Sequence, residues 1–295
     1  MTLMIPDPFP LAEPSAGDGA ALPVAGRPAD LPRLRRMVAG LEAAPCLQSG
    51  VAACFHPVSG ADFSLRRGTL HEVAAQEAGD GAAALAFALA LGWMASGREA
   101  ATHARPVLLV LEAQGCRETG EPYGHGLAAL GFDPARLLIV RTQRAGEALW
   151  ALEEGLRCAA LGAVVAAFGR SPRRYDLTAS RRLVLAARAS GVLGCLAVIG
   201  EGGAATRLAS AAETRWRITA RPSTAGLAGE PTNLALSADL LRRRGGMPSQ
   251  FDLEWNNDTG QFTVSGERHA RSREERPPLS MPLAAASANR PGQAA

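Results

Sequence analysis

The sequence predicts an α/β fold in which helices flank a mostly parallel central sheet. Four short apolar runs have the length and composition of strands that are buried on both faces. They are VLLVL at 107–111, LLIV at 137–140, AVVAAF at 163–168 and LGCLAVI at 193–199. Segments with helical spacing of their apolar residues lie between them, at 146–161 and 178–189. Strands that alternate with helices in this way are typical of layered α/β domains.

The individual elements follow from local patterns. A strand at His71–Glu72–Val73 precedes a helix that starts near Ala82. The stripe of the helix at 146–161 contains Leu149, Leu152 and Leu156, and that of the helix at 178–189 contains Leu183, Leu185 and Ala186. Asp176 or Thr178 supplies the N-cap of this second helix.

The C-terminal part has a β pattern instead. Residues 214–219 alternate as a strand, and residues 234–243 alternate less regularly. The segments 250–255 and 260–264 flank Asn256–Asn257–Asp258, which predicts a C-terminal β-hairpin.

Composition divides the chain into four parts. Residues 1–30 are rich in Pro, Gly and Ala and predict a flexible segment. Residues 31–64 contain an N-terminal docking helix at 31–44, followed by a linker. Residues 65–265 form the core domain. Residues 266–295 are rich in Arg, Pro and Ala without periodicity and predict a disordered tail.

The chain contains no lysine, so all 31 of its basic Lys and Arg positions are arginine. This excludes a Schiff-base lysine, a Ser-x-x-Lys nucleophile and the lysine of a phosphate loop. The net charge of +3 is too small to indicate nucleic-acid binding by itself. The five cysteines include no C-x-x-C pair, which argues against a zinc site or a disulfide framework.

Two observations predict a cytoplasmic protein without membrane contact. The N-terminus lacks the pattern of a signal peptide. The longest apolar run, at 82–95, is shorter than the ~20 residues that a membrane-spanning helix needs.

The loop before the helix near Ala82 lies where a phosphate loop would be expected. Glu77, Gly79, Asp80 and Gly81 keep the glycines of such a loop. Alanines at 83 and 84 replace the lysine and the Ser/Thr that would bind phosphate and magnesium. The Asp80 carboxylate would also repel phosphate, so we interpret the loop as degenerate or as a plain strand-to-helix turn.

Two further strand ends have a similar character. Glu112 ends the strand at 107–111 and is a candidate general base, but a lone glutamate at a strand end is a weak signal, because without a positioned nucleotide it has nothing to activate. The strand at 163–168 ends without the carboxylate that would bind magnesium. The histidines lack metal-ligand spacing. We therefore predict no catalytic residue, no cofactor and no metal site.

Arginines cluster in several segments and are candidate contacts with a partner or with DNA. Arginine beside an aromatic ring can hold phosphates and stack on bases, whereas the alternative interpretation is a solvated basic surface. The candidates are Arg33, Arg35 and Arg36 on the N-terminal helix, and Arg170, Arg173, Arg174, Tyr175, Arg181 and Arg182 after the strand at 163–168.

Several segments resemble known proteins. The block at 106–200 is similar to the recombinase core of RecA, through VLLVLEAQG, GEALWALEEGLR, AVVAAF and LGCLAVIG. Across about 30–264 the chain resembles the ImuA family of inducible mutagenesis proteins, which are degenerate RecA-like proteins related to SulA. The segments that carry this resemblance are GTLHEV, the lysine-free glycine loop, EPYGHGL, ALWALEEGLR, TASRRLVLAA and RRRGGMPSQFDLEW.

The resemblance implies a RecA-like core and a role in damage-induced, error-prone translesion DNA synthesis. The implied partners are an ImuB-like Y-family homologue, an error-prone DnaE-type polymerase and RecA. A weak contact with single-stranded DNA is also implied, and the implied location is the cytoplasm, in association with the nucleoid. Glu112 matches the position of the RecA glutamate, and Glu77–Ala83 match the phosphate loop in place only. Two alternatives stay open: a DNA-dependent ATPase with an atypical phosphate loop, and a SulA-like cell-division inhibitor.

Overall fold

The computed structural model describes residues 54–59, 64–97, 105–200, 209–223 and 233–266. The segment 1–30, the predicted helix at 31–44 with Arg33, Arg35 and Arg36, and the tail after residue 266 lie outside these ranges. The domain boundaries drawn from the sequence therefore stay predictions.

A ten-stranded sheet forms the centre of the described part. In chain order the strands are β1 (Cys54–Phe55), β2 (Val58–Ser59), β3 (Leu65–Arg66), β4 (Leu70–Ala75), β5 (Val107–Glu112), β6 (Leu137–Thr142), β7 (Ala163–Phe168), β8 (Leu193–Val198), β9 (Thr214–Ala220), β10 (Ala235–Arg243), β11 (Ser249–Asn256) and β12 (Gln261–Gly266). Strands β1 and β3 pair separately, and the large sheet has the order β2-β12-β11-β10-β9-β4-β8-β7-β5-β6.

The sheet is parallel from β9 through to β6 and antiparallel from β9 to β12. The helices are α1 (Gly81–Ser96), α2 (Ala113–Thr119), α3 (Gly124–Ala129), α4 (Ala145–Arg157) and α5 (Leu177–Ser190), with 3-10 turns at Ala78–Asp80 and Pro134–Arg136. The predicted fold class is confirmed, including the C-terminal hairpin of β11 and β12. Strand β2, which precedes residue 65, pairs with β12.

The predicted burial is correct for three of the four apolar runs and wrong for the fourth. Strands β5, β7 and β8 are buried along their whole length. Residues 137–140 of β6 are only half-buried. The reason is position, because β6 is the edge strand and pairs on one side only, with β5.

Helix α1 is buried on nearly all sides. It contains no β-branched residue, and it ends at Gly97, whose φ of +85° lies in the region that favours glycine. By length and composition the stretch Ala78–Ser96 could cross a membrane, but 78% of its most apolar window is buried inside the protein. It is the core helix of the α/β fold.

Aromatic side chains cover α1 on the side of the antiparallel strands. The Phe87 ring lies 5.2 Å from that of Trp216 on β9 and 5.4 Å from that of Phe262 on β12. Farther along α1, Trp93 contacts Phe132, which in turn contacts Trp255 on β11. The sheet therefore curves around the helix, and the segment after α3 closes the remaining side.

Helices α4 and α5 cover the opposite face of the sheet. Leu152 and Leu156 of α4 are buried as predicted. In α5 the buried residues are Ser180, Leu183, Val184 and Ala187, so the predicted stripe is wrong at Leu185, which is 64% exposed. Asp176 is the N-cap, and its carboxylate accepts a hydrogen bond from the Ala179 amide at 2.7 Å.

We expect Phe87→Ala to destabilise the fold by about 3–5 kcal/mol, because it opens a cavity between α1, β9 and β12. Urea unfolding followed by circular dichroism measures the loss. The control is Met247→Ala, which changes an 81% exposed side chain and should stay within about 0.5 kcal/mol of the wild type. Equal effects of the two substitutions would contradict this account of the core.

Candidate functional site

Several of the predicted site residues lie on the side of the sheet where the parallel strands β4, β5, β7 and β8 end. Ligands of open α/β sheets bind at the carboxyl ends of the strands, so this side is the first place to look for a site. Glu77, Gly79 and Asp80 follow β4, Glu112 ends β5, and Arg170 follows β7.

Asp80 occupies the loop at the phosphate-loop position. Its side chain is buried, and one carboxylate oxygen accepts a hydrogen bond from the Glu77 amide at 3.1 Å. The other oxygen accepts from the Ala220 amide, at the end of β9, at 2.8 Å. Backbone amides are the donors that bind phosphate in a phosphate loop. Here the Glu77 amide of the loop and the Ala220 amide of β9 already donate to the Asp80 carboxylate.

The first residue of α1, Gly81, is packed closely against the rest of the fold. A Cβ atom at Gly81 would lie 2.1 Å from the Ile199 carbonyl oxygen and 2.7 Å from the Thr119 hydroxyl. Only glycine allows this approach. The glycine that the sequence assigns to a phosphate loop is therefore needed for contact between α1 and the end of β8.

Glu112 is buried and has a structural partner. Its carboxylate accepts a hydrogen bond from the Gly169 amide at 2.9 Å, which ties the end of β5 to the end of β7. A Cβ atom at Gly169 would lie 2.8 Å from the Gly115 amide nitrogen, so the two strand-end loops touch through their backbones. The carboxylate that matches a catalytic glutamate in position thus holds two loops together in this fold.

A buried charged network lies near these strand ends, between β4 and β9. Arg215 donates to Glu72 through Nε at 2.6 Å, and both side chains are 9% exposed. The Tyr175 hydroxyl donates to the other carboxylate oxygen of Glu72 at 2.5 Å. Burial, together with the negative charge of Glu72, raises the pKa of Tyr175 far above its usual value, so the phenol stays a neutral donor.

The network continues into the segment before β9. Arg215 also donates to the Ser210 hydroxyl at 3.0 Å, and Arg242 of β10 donates to the same hydroxyl at 3.1 Å. Arg242 further donates to the Ala212 carbonyl at 2.8 Å. The crevice lined by Glu72, Tyr175 and Arg215 has room for about one water molecule, so it is too small for a substrate.

The predicted basic candidates have different environments. Tyr175 is 4% exposed, so its ring is not open to a base. Arg182 pairs with Glu153, which also pairs with Arg157 at 2.6 Å. The side chains of Arg170, Arg173, Arg174 and Arg181 are exposed at the surface.

His71 belongs to the core on the α1 side of the sheet. Its Nδ1 lies 2.8 Å from the Thr214 hydroxyl oxygen and its Nε2 lies 3.0 Å from the Thr69 hydroxyl oxygen. Burial lowers the pKa of His71 to about 4, so the ring is neutral near pH 7.

Within the described residues, no group of three or more His, Cys, Asp or Glu side chains could hold a metal ion. Cys195 is buried near Glu72, and burial raises the pKa of its thiol above the usual range. Cys116 is half-buried, and its thiol pKa is also raised, chiefly by burial. Neither thiol has the lowered pKa of a reactive cysteine.

Sequence reasoning missed the Glu72–Arg215–Tyr175 network. Glu72 and Arg215 are charged residues inside short strand patterns, LHEVAA and TRWRIT. A charged residue in a strand that is buried on both faces must be paired, and this was the signal for a buried ion pair. The partner is 143 residues away in the chain, so only the register of β4 and β9 identifies it.

These features define an α/β protein with a mostly parallel sheet, in which the loop at the phosphate-loop position is held by its own carboxylate. Over 143 residues the chain is 36% identical to Protein ImuA from two strains of Caulobacter vibrioides. This match covers 45% of the chain and 55% of each relative, so the chain spans about half the length of the curated relatives that it matches. The predicted resemblance to ImuA is confirmed.

Two other comparisons complete the picture. Among solved structures, the RadB recombinase matches with a TM-score of 0.45 and 12% identity, over 68% of this chain and 92% of that chain. No protein-family model matches the sequence.

The Glu72–Arg215 pair should behave as a coupled unit. We expect Glu72→Gln or Arg215→Met to cost about 3–5 kcal/mol each, because either leaves a buried charge without its partner. The double variant should lose less than the sum of the two, by about 0.5–3 kcal/mol. Urea unfolding of the four proteins measures this coupling.

The matched control for this cycle lies on the same strand. Arg217 pairs with Asp239 at 2.9 Å, but their side chains are 32% and 23% exposed. Arg217→Met should therefore cost about 1 kcal/mol or less. Strictly additive losses at Glu72 and Arg215 would contradict a coupled buried pair.

His71 predicts a pH dependence of stability. Its folded pKa of about 4 is below the unfolded value of about 6.5, so the unfolded chain binds the extra proton first as the pH falls. The stability that depends on neutral His71 is complete above pH ~6.5 and is lost as the pH falls towards ~4, by up to about 3 kcal/mol. His71→Gln should flatten this part of the profile, measured by urea unfolding at a series of pH values. Parallel profiles for the two proteins would show that His71 does not contribute.

Proposed function

We propose that this protein is a non-catalytic, RecA-like accessory protein of damage-induced, error-prone translesion DNA synthesis. It acts in the cytoplasm, near the nucleoid, through contacts with an ImuB-like Y-family homologue, an error-prone DnaE-type polymerase or RecA. Support for the role comes from the similarity to Protein ImuA. Support for the absence of catalysis comes from the geometry of the strand-end loops.

Asp80 carries this proposal. Nucleotide binding at a phosphate loop needs free backbone amides and a positive side chain close to the phosphates. In this loop the Glu77 amide donates to Asp80, which also adds a negative charge where a phosphate would lie. The chain contains no lysine to offset that charge. Opening the site would break the two hydrogen bonds of Asp80 and move α1 away from Ile199.

The second carboxylate of an ATPase site is also engaged. A general base must reach the proton that it removes. Glu112 is 6% exposed and accepts from the Gly169 amide. Because the carboxylates of Asp80 and Glu112 are engaged inside the fold, other molecules reach only the surface side chains. On this proposal the protein acts by binding through that surface.

We expect the purified full-length protein to bind neither MgATP nor MgADP and to show no ATP turnover, with or without single-stranded DNA. Calorimetric titration and a phosphate-release assay measure the two properties. Asp80→Gly removes the negative charge and frees two amides, so any residual nucleotide affinity should appear in this variant first. Glu77→Gln, which changes an exposed carboxylate of the same loop, is the matched control.

ATP turnover by the wild type would contradict the proposal. DNA-stimulated ATP turnover by the wild type, lost in Glu112→Gln, would overturn the non-catalytic assignment and favour a DNA-dependent ATPase. The partner side of the proposal is tested by biolayer interferometry with the ImuB-like protein, the DnaE-type polymerase and RecA from the same cells. Binding to none of the three would refute it, and filamentation of undamaged cells on overproduction would then favour a SulA-like inhibitor.

A further inference from the structure

The outward side of α5 combines a central leucine with arginines. At 100° per residue, Leu185 lies at the middle of the exposed side, and Arg181, Arg182 and Arg188 surround it. Leu185 is 64% exposed, although leucine is the residue type that the helical stripe would bury. We call Arg181, Arg182, Leu185 and Arg188 the α5 basic face.

The charge of the α5 basic face is only partly neutralised inside the protein. Arg182 pairs with Glu153 of α4, a carboxylate that it shares with Arg157. Arg181 and Arg188 form no ion pair within the described residues, and α5 itself contains no acidic residue between Leu177 and Ser190. Two exposed guanidinium groups therefore flank an exposed leucine without a counter-charge of their own.

We propose that the α5 basic face is a docking surface for an acidic helix of a protein partner. Its carboxylates would pair with Arg181 and Arg188, and an apolar side chain would pack on Leu185. Arginine forms forked hydrogen bonds with carboxylates, and an exposed helix ridge packs into the grooves of a second helix. This inference rests on the proposed function, because it assigns the surface by which such an accessory protein binds.

Leu185 distinguishes a protein partner from nucleic acid. A DNA backbone would pair with the arginines but offers phosphates and sugars, which gain nothing from a leucine in the middle of the contact. An apolar anchor surrounded by charged residues is the usual arrangement of protein interfaces, with an apolar centre and a polar rim. Tyr175, the aromatic residue expected to stack on bases near these arginines, is buried and therefore cannot contact a base.

The test uses the full-length protein and two variants of the face, Leu185→Gln and the double variant Arg181→Gln/Arg188→Gln. Glutamine keeps the helix propensity of the positions that it replaces. The matched control for Leu185→Gln is Met247→Gln, which removes an 81% exposed apolar side chain between β10 and β11. The control for the arginines is Arg244→Gln, which changes an exposed arginine of the same segment. Unchanged thermal unfolding and circular dichroism verify that every variant is folded.

Biolayer interferometry measures binding to three probes. The first probe is whichever of the ImuB-like protein, the DnaE-type polymerase and RecA the wild type binds. The second is a synthetic helix built from Glu and Leu, and the third is a single-stranded oligothymidine. We expect both face variants to weaken binding to the partner and to the acidic helix by about tenfold or more, with little change in the controls. Added salt should weaken wild-type binding more than that of the double arginine variant, because the arginines supply the screened part of the attraction.

Other outcomes would overturn the inference in recognisable ways. A partner that binds the face variants as tightly as the wild type removes the docking surface but leaves the proposed function intact. A wild type that binds no partner but binds the acidic helix through this face loses the proposed function and keeps the surface. Loss of oligothymidine binding in the arginine variant alone, with partner and helix binding unchanged, identifies a nucleic-acid surface instead. Binding of none of the three probes also overturns the inference.

Discussion

The structure depends on the burial of one helix. Helix α1 is apolar around its whole circumference, so it needs apolar cover on every side. The parallel strands supply one side, and the antiparallel strands β10 to β12 extend the sheet until it reaches around the helix. Phe87, Trp93 and their aromatic partners fill the space between. The Trp255 indole then donates to the Leu130 carbonyl at 2.8 Å, which ties the antiparallel part of the sheet to the segment after α3.

The same close packing determines the chemistry of the strand-end loops. Where α1 begins, Gly81 touches the backbone after β8, and where β7 ends, Gly169 touches the start of α2. Asp80 and Glu112 take part in this packing as acceptors for backbone amides, and the Gly169 amide that Glu112 binds is buried. A carboxylate used in this way stabilises the fold.

The charges fall into two groups with different consequences. Glu72 and Arg215 are desolvated, and each is stable in the fold only because the other is present. Tyr175 adds a neutral hydrogen bond to this pair and anchors the loop after β7 next to α5. On the surface, arginines such as Arg181 remain hydrated and keep their charge available to another molecule. The interior network therefore positions the loop from which α5 begins, while the outer side of α5 contacts solvent.

The sequence by itself determined the order of elements, the α/β class, the C-terminal hairpin and the loss of a phosphate-binding lysine, because these follow from local periodicity, turn residues and composition. It also placed Glu77, Asp80 and Glu112 at strand ends. Only the tertiary structure decided that Asp80 and Glu112 bind backbone amides, that Tyr175 is buried on Glu72 and that Leu185 faces outward. Those outcomes depend on which distant strands and helices pack together. The hydrophobic periodicity of a short segment does not specify which of its sides the packed elements will cover.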